Sequence, residues 1–331
     1  MDHTVKPDSQ GLASATWCRG PGLTHHRLTV PQQWPSLMVM EEVHIEAGWP
    51  PSTGGRGFAQ VDVVGEQPGR GNPVAVVIDG DGLDDVAMQA FAAWTNLSET
   101  TFLLPPTTRG ADYRLRIFTP TRELPFAGHP TLGSAHAWLE RGGTPGRTGV
   151  VVQECGVGLV VVRRRESGLA FTAPPTTHGG DVEPELLERL IAGLRIDAVD
   201  VLASQWVDNG PGWVAVLLPN AEAVLAINPD AAVLAGLEVG VVGAHPRGAP
   251  EAFEVRAFAT SSDSVYEDPV TGSLNASLGQ WLIKTGRAPA RYRARQGTRL
   301  GRHGVVHVEQ VDNGLWIGGK TTTLISGTAT L

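Results

Sequence analysis

Three short segments carry side chains suited to proton chemistry. In Asn96-Leu97-Ser98-Glu99-Thr100, Glu99 opens an otherwise apolar strand. Such a carboxyl is either an acid/base or the cap or arginine partner of a neighbouring segment, and the pattern leaves both readings open. In Gly128-His129-Pro130, His129 stands at a predicted helix N-terminus. The partial positive charge there depresses an imidazole pKa and favours the neutral ring, which accepts or donates a proton near pH 7. In Glu267-Asp268-Pro269, followed by Gly272 and Ser273, Asp268 reads first as an ordinary helix N-cap.

A duplication changes the weight of that last reading. His129-Pro130-Thr131-Leu132-Gly133-Ser134 recurs as Asp268-Pro269-Val270-Thr271-Gly272-Ser273, a spacing of 139. Val74-Ala75-Val76-Val77 matches Val214-Ala215-Val216-Leu217 at 140, and Leu115-Arg116-Ile117-Phe118 matches Val255-Arg256-Ala257-Phe258 at the same spacing. A period this long marks a duplicated domain, not a solenoid of short repeats. On this register His129 and Asp268 hold equivalent places in two lobes, and Glu99 is matched by the uncharged Val239. Lobes packed face to face aim both helix N-termini into one cleft, where free backbone N–H groups bind an anion such as a carboxylate. The glycines let a ligand approach the backbone closely.

Each half reads as strands plus two helices. In the first, short apolar or alternating runs predict strands at Val74–Ile78, Thr100–Leu104, Tyr113–Phe118, Val150–Gln153, Gly158–Arg163 and Leu169–Thr172. Leu83, Val86, Ala90, Phe91 and Trp94 fall at helical spacing behind Asp84 and Asp85. The stretch from Pro130 is apolar nearly all round, which predicts a helix enclosed by protein. The expected architecture is two sheet-rich lobes, each wrapped around a buried helix.

Composition narrows the function classes. The chain has 331 residues, a formal charge of -8 and only three lysines, Lys6, Lys284 and Lys320. No basic stripe points to nucleic acid, and no apolar run reaches membrane-spanning length. Cys18 and Cys155 are too few for a disulfide framework or a cysteine-based metal site. Residues 1–56 hold Pro, Gly and polar residues without sustained periodicity. They predict a disordered extension, or a translation start set too early, with Met38 or Met40 as the alternative. They lack the pattern of a secretory signal.

Gly71-Asn72-Pro73, Asn96–Thr100, Phe118-Thr119-Pro120, Glu123–Thr131 and Glu267–Ser273 together closely resemble the PhzF-like family of phenazine biosynthesis. The likeness runs from about Phe58 to Leu331. It implies an α+β, diaminopimelate epimerase-like fold: two pseudo-symmetric lobes, each a barrel-like, mostly antiparallel sheet around a central helix. The implied division is 57–178 plus 319–331 for the N-terminal lobe and 179–318 for the C-terminal lobe. The resemblance implies a cofactor-independent isomerase of the trans-2,3-dihydro-3-hydroxyanthranilate isomerase type, without metal, in bacterial secondary metabolism. Glu99 would be its proton shuttle, with His129 and Asp268 as catalytic partners and Ser98, Gly128, Gly272 and Ser273 contacting a small carboxylated, amine-bearing substrate. A cytoplasmic homodimer is the implied setting. Family members use Asn-Pro-Trp-like residues where this chain has Gly210-Pro211-Gly212-Trp213, and the segment from Ala259 to Tyr266 is unusual. Both departures bear on the substrate. The epimerase relatives' two-cysteine chemistry is excluded, because neither cysteine lies near the helix starts. Lyase or hydrolase action on a similar acid, or non-catalytic binding, are the rival readings.

Overall fold

The computed structural model describes residues 55–260, 264–311 and 314–331. All but the last two residues of the predicted extension lie outside them. The first strand begins at Arg56.

The first half runs β1 (Arg56–Val63), β2 (Asn72–Val77), α1 (Asp85–Thr95), β3 (Glu99–Leu104), β4 (Tyr113–Phe118), β5 (Glu123–Leu124), α2 (Gly128–Glu140), β6 (Val150–Cys155), β7 (Gly158–Arg165) and β8 (Gly168–Thr172). The second runs β9 (His178–Gly180), α3 (Pro184–Leu194), β10 (Ala203–Asp208), β11 (Trp213–Leu218), α4 (Ala221–Ala226), α5 (Ala231–Leu234), β12 (Glu238–Ala244), β13 (Phe253–Thr260), β14 (Val265–Asp268), α6 (Gly272–Lys284), β15 (Arg291–Gln296), β16 (Gly304–Val311) and β17 (Gly314–Gly319). A last strand, β18 (Thr321–Ala329), lies antiparallel to β1. The fold is α+β, dominated by a mostly antiparallel sheet. Two seams join the halves: β8 against β17, with Phe171 opposite Ile317, and a bridge between Gly65 and Gly304. No helix among the described residues is long and apolar enough to cross a membrane.

The predicted strands and both predicted helices of the first half are present. The nearly all-round apolar helix is α2, with every residue from Gly128 to Ala135 buried. It packs against β1, β2, β3 and β8, and α6 packs against β10, β16 and β17. One core runs around both helices, and it includes Val74, Leu132, Phe171, Trp213, Leu274 and Ile317. A smaller cluster under α1 contains Met88, Phe91 and Phe102. Another under α3–α5 contains Leu190, Val214 and Phe258. In α1 the buried stripe is Met88, Phe91 and Ala92. Val86 and Trp94, expected in that stripe, are 70% and 77% exposed. Asp84 starts this helix by accepting the Ala87 N–H at 2.8 Å.

The halves correspond element by element, and the pairing gives the register. β2 runs parallel to β3 as β11 does to β12, and β4 parallel to β6 as β13 does to β15. Arg116 pairs with Glu123 and lies over Phe118, and Arg256 pairs with Glu267 and lies over Phe258. The offset is therefore 140 on β4/β13. It becomes 144 beyond the next turn, because Phe118 pairs with Glu123 but Phe258 with Glu267, a longer hairpin. At 144 the two 13-residue helices α2 and α6 coincide end to end. The Gln153–Thr131 hydrogen bond then matches the Asn275–Gln296 one, within a residue.

Two equivalences drawn from sequence are corrected by this register. At the helix offset, the counterpart of His129 is Ser273 and that of Asp268 is Leu124. The Pro-x-x-Gly-Ser strings matched at 139 are therefore five residues out of phase. Asp268 is not a helix N-cap either: it ends β14, and the N-cap of α6 is Thr271. The second correction concerns Glu99. Phe118 lies opposite Thr100, and its equivalent Phe258 lies opposite Val239. Val239 thus corresponds to Thr100, and Glu99 corresponds to Glu238. The valine runs misled because Val74 and Val76 face the shared core whereas Val214 and Val216 face the cluster under α3–α5. A slip of one residue sends every strand side chain to the opposite face.

The helix starts meet backbone to backbone. A Cβ added to Gly272 would lie 2.9 Å from the Gly128 Cα and 3.2 Å from the His129 nitrogen. Neither neighbour is a flexible side-chain tip, so Gly272→Ala is expected to cost about 1–3 kcal/mol through forced backbone shifts. Gly327→Ala, whose added methyl meets nothing within 4 Å, should stay within roughly 0.5 kcal/mol of the parent. Urea unfolding of the two variants measures the difference.

Candidate active site

The cleft residues come from strand ends and helix starts. Glu99 is the first residue of β3, and His129 is the second of α2. Their side chains are 15% and 5% exposed, with Glu99 Oε2 3.3 Å from His129 Nε2. The pair is not aligned for a hydrogen bond, and both atoms are buried without a partner. Burying an unpaired polar atom is costly, so this contact is poised for a third group.

Asn72 connects His129 to Asp268. It is fully buried at the start of β2. Its amide donates to Asp268 Oδ1 at 2.8 Å and to the Val270 carbonyl at 3.0 Å, and lies 3.3 Å from His129 Nδ1. The Asn72 Oδ1 atom is buried and unpartnered. Asp268 Oδ2 accepts from the Thr271 hydroxyl at 2.5 Å. Gln296 locks this corner: its amide donates to the Asp268 carbonyl and to Thr271 Oγ1, and its oxygen accepts the Thr271 N–H.

Burial dominates the electrostatics. It raises the Glu99 carboxyl well above its ordinary range, and the charge of Asp268 adds to that rise. Asp268 is pushed up to about 6 by burial, against the lowering hydrogen bonds from Thr271 and Asn72. His129 is pushed down to about 3 by burial, opposed by a hydrogen bond to the Pro73 backbone. The imidazole is therefore neutral, as anticipated, but desolvation is the main cause where a helix N-terminus was expected to be.

The remaining expected residues lie around this centre. Gly128 and Gly272 are the facing helix starts, and neither helix has a side-chain N-cap bond. Their first-turn N–H groups thus lack that partner. Ser273 Oγ accepts from Trp213 Nε1 at 3.0 Å, and the Ser273 carbonyl accepts from Asn209 at 3.0 Å. The Ser98 hydroxyl bonds the Tyr266 hydroxyl at 2.5 Å. The structure thus links Ser98 to the unusual Ala259–Tyr266 segment, and Ser273 to the Gly210–Trp213 departure. The loop before Trp213 is organised by Asp208, which accepts from the N–H groups of Gly210 and Gly212.

Sequence reasoning assigned no role to Asn72, Thr271, Gln296 or Glu238. Asn72 sat within a recognised motif, and only its burial among polar groups shows what it does. Glu238 was masked by the one-residue slip. It is half-buried, and burial pushes its carboxyl up to about 7, with Arg122 opposing the rise and Asp268 adding to it.

The profile of the phenazine biosynthesis-like protein family matches residues 61–331. Antisense-enhancing sequence 1 of Schizosaccharomyces pombe is 36% identical, over 82% of this chain and 97% of that protein. The trans-2,3-dihydro-3-hydroxyanthranilate isomerase of Pseudomonas fluorescens is 33% identical, over 70% of this chain and 81% of the enzyme. Among solved structures, a phenazine biosynthesis protein of the PhzF family from Enterococcus faecalis superposes with a TM-score of 0.69 at 26% identity, covering 84% of this chain and all of that one. The chain belongs to the phenazine biosynthesis-like family and is an isomerase of the PhzF type.

Proposed function

We propose that the enzyme shifts a proton, and with it a double bond, within a small carboxylated, amine-bearing substrate, using Glu99 as its single acid/base. The observation that carries this reading is the buried contact of Glu99 Oε2 with His129 Nε2, in which neither atom has a hydrogen-bond partner. A substrate C–H placed at that contact gives its proton to the Glu99 carboxylate. The C–H electron pair becomes the new π bond, and the old π bond takes the proton back from the Glu99 carboxylic acid at another carbon of the same face. The raised pKa of Glu99 suits both halves of this shuttle, since efficient acid/base groups sit near the working pH.

The neutral His129 ring presents Nε2 to Glu99, and its Nδ1 lies against Asn72, which ties this corner to Asp268 and Thr271. The facing helix starts at Gly128 and Gly272 offer N–H groups for the substrate carboxylate and for charge developing along its conjugated system. The relative from Pseudomonas fluorescens acts on trans-2,3-dihydro-3-hydroxyanthranilate. That compound heads the substrate panel, and bacterial secondary metabolism is the proposed setting.

Two outcomes test the shuttle. In deuterium oxide, a substrate from a panel of amino-bearing cyclic acids should gain solvent deuterium on turnover, as read by mass spectrometry and NMR. Glu99→Gln should lower that turnover by about 10²–10⁴-fold, the usual scale of general acid/base catalysis. Turnover at the parent rate would sink the single-base scheme. The second outcome is a pH profile. The acid limb of kcat/KM should lie above the ordinary carboxylate range, because the shuttle starts from ionised Glu99 and its pKa is raised. Removing the Asp268 charge removes one cause of that rise, so Asp268→Asn should move the limb to lower pH. A limb that stays in place, or moves up, contradicts the assignment.

A further inference from the structure

We infer that Glu238 forms a subsite for the cationic amine of the substrate, on the wall of the cleft that the second half supplies. The inference rests on the carboxylate-binding reading above and adds the recognition of a second substrate group.

Strand register places the residue. Trp213 pairs with Glu238, Glu238 with Ala259, and Ala259 with Tyr266, so the four form one rung across β11, β12, β13 and β14. Directly paired residues project from the same face of a sheet. Both ends of the rung are tied to the site. Trp213 donates to Ser273 Oγ and Tyr266 bonds Ser98. The adjacent rung on that face is Ala215, Gly240, Ala257 and Asp268. Glu238 thus stands between two residues that touch the site and one rung from Asp268, with only the methyl of Ala259 beside it toward Tyr266.

Charge decides what that position receives. Among the described residues no hydrogen bond or ion pair engages the Glu238 carboxyl. Burial is the main obstacle to ionising Glu238, the Asp268 charge adds to it, and Arg122 from the first half opposes it. An anionic group placed there would meet two carboxyls. A protonated amine relieves their repulsion and gains a partner at low dielectric. The opposite preference holds at the helix starts, where uncapped N–H groups can donate to a carboxylate. The cleft is therefore polarised to orient a zwitterion, with the anionic end at Gly128 and Gly272 and the cationic end at Glu238.

Calorimetric binding of two stable probes to the full chain tests this without turnover: 2-aminocyclohexanecarboxylate, and cyclohexanecarboxylate, which lacks the amine. The parent protein should bind the amino acid at least tenfold more tightly. Glu238→Gln should abolish that preference while still binding cyclohexanecarboxylate as the parent does, and Glu238→Asp should restore part of it. Thermal melting by circular dichroism confirms that the variants are folded. A preference that survives in Glu238→Gln, or an equal loss for both probes, overturns the subsite. Equal binding of both probes by the parent removes the amine subsite and leaves carboxylate binding standing, whereas failure of both probes to bind removes the two together.

Discussion

The close approach of Gly128 and Gly272 sets the terms for the rest of the molecule. Two helix starts meet with no side chain between them, and an added methyl on either would sit inside the other's backbone. Every group of the proposed site is placed relative to that contact. His129 and Ser273 are the next residues along each helix, Glu99 reaches His129 from β3, and Thr271, the residue before Gly272, donates to Asp268. Uncapped N–H groups so close together favour negative charge, whereas the surrounding carboxyls are held at raised pKa values by burial. The opposition between these two environments gives the cleft its polarity.

Much of the fold was legible in the sequence because hydrophobic period is a strong signal. Buried strands such as Val74–Val77 and the enclosed helix from Gly128 follow from apolar runs and their bounds. The duplication was legible too, but its register was not. Apolar strands buried on both faces carry no alternation to say which face is which, so the valine runs matched equally well one residue out. The short Pro-x-x-Gly-Ser string matched in the wrong phase because the β13–β14 hairpin is longer than its counterpart and shifts everything after it. Hydrogen-bond pairing resolves both points, since it records contacts that no local pattern contains. The candidate residues themselves, Glu99, His129 and Asp268, converge in space around Asn72. Asn72 escaped notice because a buried amide leaves no mark on periodicity or charge.

The corrected register changes where the two halves differ. Carboxyls stand at matched places on β3 and β12, as Glu99 and Glu238, so this pair belongs to the shared frame. The halves part at the helix starts and on the short strands before them. His129 faces Ser273 as its counterpart, and Asp268 faces Leu124. A duplicated architecture thus supplied two similar walls, and a few substitutions near the helix starts made them chemically unequal.

The pairing of β18 with β1 has a consequence for how the molecule is made. These strands are neighbours in space but are separated in the chain by the whole of residues 64–320. During synthesis β1 emerges early and waits, with one edge unpaired, until β18 follows it. Exposed edges of this kind invite pairing with other chains, and contacts between distant segments form slowly. The first half therefore completes its sheet last. For this protein the vulnerable interval is the one in which β1 is present and the strand that covers its open edge is not.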